Sequence, residues 1–201
     1  MSGADRRREQ EMKQWCWLCD YASLNQQHED ATLYNRVLFE TSNFIVFPTI
    51  GALVEGWVML IPKRHHLCVG ALSDSLLAEL EALRDFVSMI IDQHYGPVAI
   101  FEHGPASPRK QVGCGVDHAH LHVVPTHADL ISIVQGMSFE PLKFQAVEDL
   151  QTTSVFYRNG LPYLYIEQPV GEAYMATHPS LQSQLFRRAI ASSLGSPDRY
   201  D

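Results

Sequence analysis

From Leu76 onward, apolar side chains recur at intervals of three and four: Leu76, Leu77, Leu80, Leu83, Phe86, Val87, Ile90 and Ile91. Residues at that spacing share one face of a 3.6-residue turn, so the pattern predicts an amphipathic helix over residues 76–95. Ser73 or Ser75 can cap its start, and Gly96-Pro97 ends it. Glu79, Glu81, Arg84 and Asp85 read as its solvated face. Elsewhere the apolar runs are short. Residues 44–47 stop at Pro48, residues 57–61 stop at Pro62, and residues 98–102 follow the helix. Each reads as a strand, and the first two, joined through Gly51 and Gly56, predict an antiparallel hairpin with a long connection. The segment 32–40 fits a short helix or a first strand equally well.

Beyond Pro125 the pattern starts again. Residues 154–157 and 161–167 flank Arg158-Asn159-Gly160, and Asn-Gly between apolar runs is a hairpin signal. Residues 180–194 place Leu181, Leu185, Ala189, Ile190 and Leu194 on one helical face, with Gly195 as the stop. Tyr157, Tyr163, Tyr165 and Tyr174 read as core packing before a base-stacking platform, and Arg187 and Arg188 as surface. Sheet strands interrupted by one long helix make an α+β domain. The expected organisation is a flexible stretch 1–14, a domain 15–126, and a hairpin-and-helix extension 127–201 packed on that domain or on a partner subunit.

Composition narrows the class. The 201 residues are 46% hydrophobic and 19% charged, enough for a real core. A net charge of −8 argues against bulk nucleic-acid binding, which needs a basic face. No apolar run approaches the roughly 18–20 residues that span a bilayer, and the polar start lacks the core of a signal peptide. A cytoplasmic protein is expected, so Cys16, Cys19, Cys68 and Cys114 read as thiols or metal ligands. Cys16-Trp17-Leu18-Cys19 is a C-x-x-C, a spacing shared by zinc sites and redox motifs.

The chemistry concentrates at His118-Ala119-His120-Leu121-His122-Val123-Val124-Pro125. In an extended chain the three imidazoles face one way, while Ala119, Leu121 and Val123 face a core. A shared metal is one use for such a row. Same-face neighbours lie ~6.5–7 Å apart along a strand, however, and converge poorly on one ion. A neutral imidazole, with its pKa near 6.5, is also a good nucleophile.

H-A-H-L-H-V-V resembles the motif of the histidine-triad (HIT) family, three histidines alternating with apolar residues. Phe101-Glu102-His103-Gly104-Pro105 and Gly113-Cys114-Gly115-Val116 look like that family's phosphate loop, and Gly56-Trp57-Val58-Met59-Leu60-Ile61-Pro62-Lys63-Arg64-His65 looks like its G-H-x-L-V-I-P-K-x-H strand. The resemblance covers residues 16–125. It implies a HIT-like antiparallel sheet and a nucleotide hydrolase acting on a phosphoanhydride or phosphoramidate. His120 would attack the α-phosphorus to give a nucleotidyl-histidine, and His122 would bind the phosphate or protonate the leaving group. It further implies a structural zinc on Cys16, Cys19, His65 and His118, and a possible homodimer. His103, rather than the repelling carboxylate of Glu102, is the expected phosphate ligand, with Gly113, Cys114 and Gly115 offering backbone N–H groups. Thr49 stands at the usual ribose-binding position, and Trp57 replaces the histidine of the G-H pair. A nucleotidyltransferase or phosphorylase, or a nucleotide-binding module with little turnover, are the alternatives. The retained third histidine leans toward hydrolysis.

Overall fold

The structure is a computed structural model, and it describes residues 16, 18, 19, 36–49, 51–108, 116–137, 142–177 and 184–200. Among the described residues, eight strands form one antiparallel sheet. They are β1 (Phe39–Glu40), β2 (Phe44–Pro48), β3 (Val58–Pro62), β4 (Val98–Gly104), β5 (Leu121–Pro125), β6 (Gln145–Val147), β7 (Tyr163–Glu167) and β8 (Ala173–Ala176). Their order is β1-β2-β3-β5-β4-β7-β8-β6. The hairpin over β2 and β3 is present, pairing Ile45 with Ile61 and Phe47 with Met59. The fold is α+β.

Among the described residues, the α-helices with defined bounds that join the sheet are α1 (Asp74–Tyr95), α2 (Leu130–Met137), α3 (Thr152–Arg158) and α4 (Leu185–Ser193). Ser73 caps α1 by accepting the Leu76 N–H. Its buried stripe is Leu77, Leu80, Leu83, Val87 and Ile91, packed on Phe44, Leu60, Ile100, Leu121 and Val123. Phe86 and Ile90 lie outside that stripe and are exposed; Phe86 instead meets the Phe39 ring at 5.4 Å. The opposite sheet face carries Trp57, Ala99, Phe101, Val124, Leu164 and Ile166 under α2 and α4. None of the described helices is long and apolar enough to cross a membrane.

The charged positions of α1 are anchors rather than a solvated face. Glu79 accepts from the Thr41 hydroxyl and the Asn43 amide, both at 2.6 Å. Glu81 accepts the Leu150 N–H at 3.3 Å, and Arg84 pairs with Glu167 on β7. Of the four, Asp85 alone is exposed. These partners are distant in sequence, so helical periodicity could not reveal them.

The hairpin expected at Arg158-Asn159-Gly160 lies elsewhere. Residues 154–157 belong to α3, and Asn159-Gly160 ends that helix. Gly160 N–H donates to the Tyr157 carbonyl and Leu161 N–H to the Phe156 carbonyl, each at 3.0 Å, with Gly160 at φ 67°. This is a Schellman cap, which uses the same glycine freedom that a tight hairpin turn would use. The hairpin is one step later, β7 with β8, pairing Ile166 with Tyr174. Tyr163 and Tyr165 are fully buried on the α1 side, so they pack the core. Helix α4 begins at Leu185; residues 180–183 lie outside the described residues, as do 1–14 and 32–35.

Candidate active site and metal centre

Parity along the strands sorts the candidate residues. On β4, Ile100 and Glu102 face α1, whereas Ala99, Phe101 and His103 face the other side. Glu102 is therefore turned away from the triad. Its carboxylate accepts the Val69 N–H and the Tyr163 hydroxyl, both at 2.6 Å. Burial, outweighing those two bonds, pushes its pKa up to about 7. The Tyr163 ring lies flat across Gly104, where a Cβ would meet Cζ at 2.1 Å, so only glycine fits there.

Strand β5 begins at Leu121, so His118 and His120 stand on the approach to the strand and His122 within it. All three are buried, at 1%, 6% and 4% exposure. His120 Nδ1 lies 2.7 Å from the His118 carbonyl. A carbonyl only accepts, so Nδ1 carries the proton and Nε2 keeps its lone pair. Burial holds the pKa of His120 below its ordinary value, against that hydrogen bond, and so keeps the ring neutral. The His122 ring lies 5.1 Å from that of His120. Burial first, then His120 and Arg187, drive its pKa well down.

His103 is buried beside His120, and its two ring nitrogens have no hydrogen-bond partner among the described residues. Burial, then the neighbouring His120, lowers it to about 4. Thr49 stands just past β2 with its N–H on the Trp57 carbonyl, and its buried hydroxyl also lacks a partner among the described residues. Unsatisfied buried donors and acceptors are costly, and a polar ligand would relieve both. Gly113, Cys114 and Gly115 lie outside the described residues.

Two contacts here go beyond the reading of the sequence. The Trp57 indole N–H donates to His122 Nδ1 at 3.0 Å. Arg187, read from the sequence as surface, lies over the indole at 5.2 Å and bonds the Gly51 and Tyr200 carbonyls, each at 2.8 Å. Counting by twos from the triad strand to its neighbour could have placed Trp57 on the histidine face. Nothing local points to Arg187.

A metal centre adjoins the triad. One ligand atom from each of Cys16, Cys19, His65 and His118 falls within a group no wider than 4.8 Å. His118 Nδ1 is 3.3 Å from Cys16 Sγ and 3.4 Å from Cys19 Sγ; His65 Nδ1 is 3.3 Å from Cys19 Sγ. Tetrahedral zinc with bonds of about 2.0–2.3 Å would set such edges near ~3.6 Å. The far ring nitrogen of His118 lies 2.9 Å from the Pro62 carbonyl, so Nε2 carries the proton and Nδ1 presents a lone pair to the thiols. No disulfide joins Cys16 to Cys19. These residues could hold a metal ion.

No protein-family model and no curated protein matches the chain. Solved structures do. A HIT family protein from Bacillus anthracis is 19% identical, over 57% of this chain and 74% of that one, with a TM-score of 0.45. A Zn-bound histidine triad family protein from Mycobacterium smegmatis is 21% identical over 74% and 94%, with a TM-score of 0.44. A hypothetical histidine triad nucleotide-binding protein from Sulfolobus tokodaii is 21% identical over 71% and 91%, with a TM-score of 0.43.

Proposed function

We propose that this chain is a histidine-triad nucleotide hydrolase that cleaves a nucleotide conjugate at the α-phosphorus through a nucleotidyl-histidine on His120. The observation that carries this is the bond from His120 Nδ1 to the His118 carbonyl, which fixes the tautomer and leaves Nε2 as the nucleophilic atom. Nε2 forms a bond to phosphorus as the bond to the leaving group breaks with its electron pair. Water oxygen then bonds to phosphorus, the P–N bond breaks, and the water proton passes to solvent with release of the nucleoside monophosphate. One hard displacement becomes two easier ones. His122 lies next to His120 on the same face, within reach of the phosphate, and His103 and Thr49 offer the buried polar atoms that a bound nucleotide would satisfy. Zinc on Cys16, Cys19, His65 and His118 would be structural, because four protein ligands close its coordination sphere. It would brace the backbone whose carbonyl orients His120.

The test is intact-mass trapping after rapid mixing with a panel of nucleotide conjugates. Native protein should gain one nucleotidyl group, while His120→Asn gains none, keeps its metal and loses turnover. A nucleotidylated His120→Asn protein would overturn the mechanism. Product formation that depends on a non-water acceptor would identify a transferase or phosphorylase instead. Binding without any adduct would identify a nucleotide-binding module.

A further inference from the structure

Imidazole can serve a phosphoryl-transfer site in two ways. It can give up a proton from its cationic form, or it can stay neutral and donate one hydrogen bond. For His122 the choice is set by Trp57. Indole Nε1–H is a donor and never an acceptor. Held 3.0 Å from His122 Nδ1, it requires that nitrogen to keep its lone pair. The remaining nitrogen, Nε2, must then carry the only ring proton. Protonating Nδ1 would set two N–H groups against each other inside a buried site, where Trp57 is 2% and His122 4% exposed.

The surroundings act in the same direction. The ionisable groups that face His122 are His120 and Arg187: the guanidinium opposes a positive charge on the ring, and a charge on either histidine opposes one on the other. Arg187 also holds the indole in place, lying over its face while its own N–H groups bond the Gly51 and Tyr200 carbonyls. Phe101 lies against the His122 ring at 4.7 Å and meets the Trp57 ring edge-on at 6.0 Å. The ring can neither flip nor charge without disturbing this stack.

We propose that Trp57 is a positioning residue that locks His122 as a neutral Nε2–H donor, so that the site acts on nucleotide conjugates whose leaving group departs without a proton. The inference rests on the hydrolase reading above and narrows its substrate class to phosphoanhydrides, excluding alkylamine phosphoramidates. A neutral imidazole that released its one proton would become an imidazolate, a strongly basic anion that burial disfavours. A departing phosphate carries its electron pair away as a stable anion. An alkylamine must gain a proton as the P–N bond breaks, and this site does not supply one. His122 instead donates a hydrogen bond to a phosphoryl oxygen while His120 attacks.

The tautomer and the substrate class are tested separately. In ligand-free protein labelled with ¹⁵N at histidine, Nε2 of His122 should carry the proton at every pH where the fold persists, and Trp57→Phe should release the ring to mixed tautomers. A proton on Nδ1 of native His122 overturns the proposal. Turnover is then compared for a nucleoside diphosphate, nucleoside 5′-aryl phosphates of graded phenol acidity, and an alkylamine phosphoramidate. Native protein should show rates that fall steeply as the phenol becomes less acidic, and a phosphoramidate rate lower by about 10² or more, the span of a missing acid–base group. In Trp57→Phe that dependence should flatten, with a gain for the phosphoramidate at low pH. A shallow dependence and rapid phosphoramidate cleavage by native protein would refute the substrate class. If the tautomer is as stated but no probe is turned over and no adduct forms, the hydrolase reading fails and takes the substrate class with it, while the Trp57 contact stands.

Discussion

Glu102 and His103 are adjacent in sequence, yet they belong to different chemistries because strand parity sends them to opposite faces. The buried Glu102 carboxyl titrates near pH 7, above the value near 4.3 of an unfolded glutamate. The folded chain therefore holds this proton more tightly than the unfolded chain. Its stabilising contribution is complete below about pH 4.3, declines as pH rises toward 7, and is flat beyond. Thermal denaturation of native protein and Glu102→Gln across pH 4.5 to 8 should show a gap between the two that narrows with rising pH. A gap constant with pH would mean that Glu102 ionises normally. His103 was legible as a candidate because a carboxylate repels phosphate, and the structure adds that its ring is left without a partner among the described residues.

At the scale of elements, periodicity located α1, the β2–β3 hairpin and β4 almost to the residue, since each buries one face against its neighbours. It failed at residues 154–160, where a short apolar run next to Asn-Gly is compatible with a strand-turn or a capped helix. What decides is tertiary: Thr153 and Ser154 are buried, and the Thr153 carbonyl sits where a Cβ on Gly70 would lie. Gly160 closes α3 with φ 67°, a region that costs an L-residue about 1–2 kcal/mol. Gly160→Ala should lower unfolding stability by about 1 kcal/mol in a denaturant titration, with no change in any activity. An unchanged midpoint would show that the cap contributes little. The triad itself was plain in the sequence, because alternation alone sets its face. The Trp57 and Arg187 contacts were not, because they depend on which strands and helices become neighbours.

Across the whole molecule, the four candidate metal ligands come from three separated stretches of chain: residues 16 and 19, residue 65 and residue 118. An ion there would act as a cross-link over about a hundred residues. Protein purified without chelator should carry about one zinc per chain, and Cys16→Ser should lose it with a marked fall in stability, since structural zinc contributes an apparent ~10–16 kcal/mol in small zinc-finger peptides. Metal analysis that finds no zinc in native protein would reject the site. His120 should be affected indirectly, through the His118 carbonyl that orients it.

The sheet order also has a consequence for synthesis. Strand β4, which carries His103 and Phe101, pairs with β5 on one side and with β7 on the other. When the ribosome has made the triad, β7 has not yet been translated, and the second edge of β4 lies bare. An unpaired, apolar edge is a template for pairing with other chains. The nascent chain thus passes through an interval in which its chemistry is encoded but its sheet is unfinished, and chaperone capture should fall within it. Ribosome-stalled chains ending near residue 150 should be cut readily by protease, and those ending beyond residue 200 with enough linker to clear the exit tunnel should resist. Equal resistance of the two would mean that the N-terminal strands close without β7.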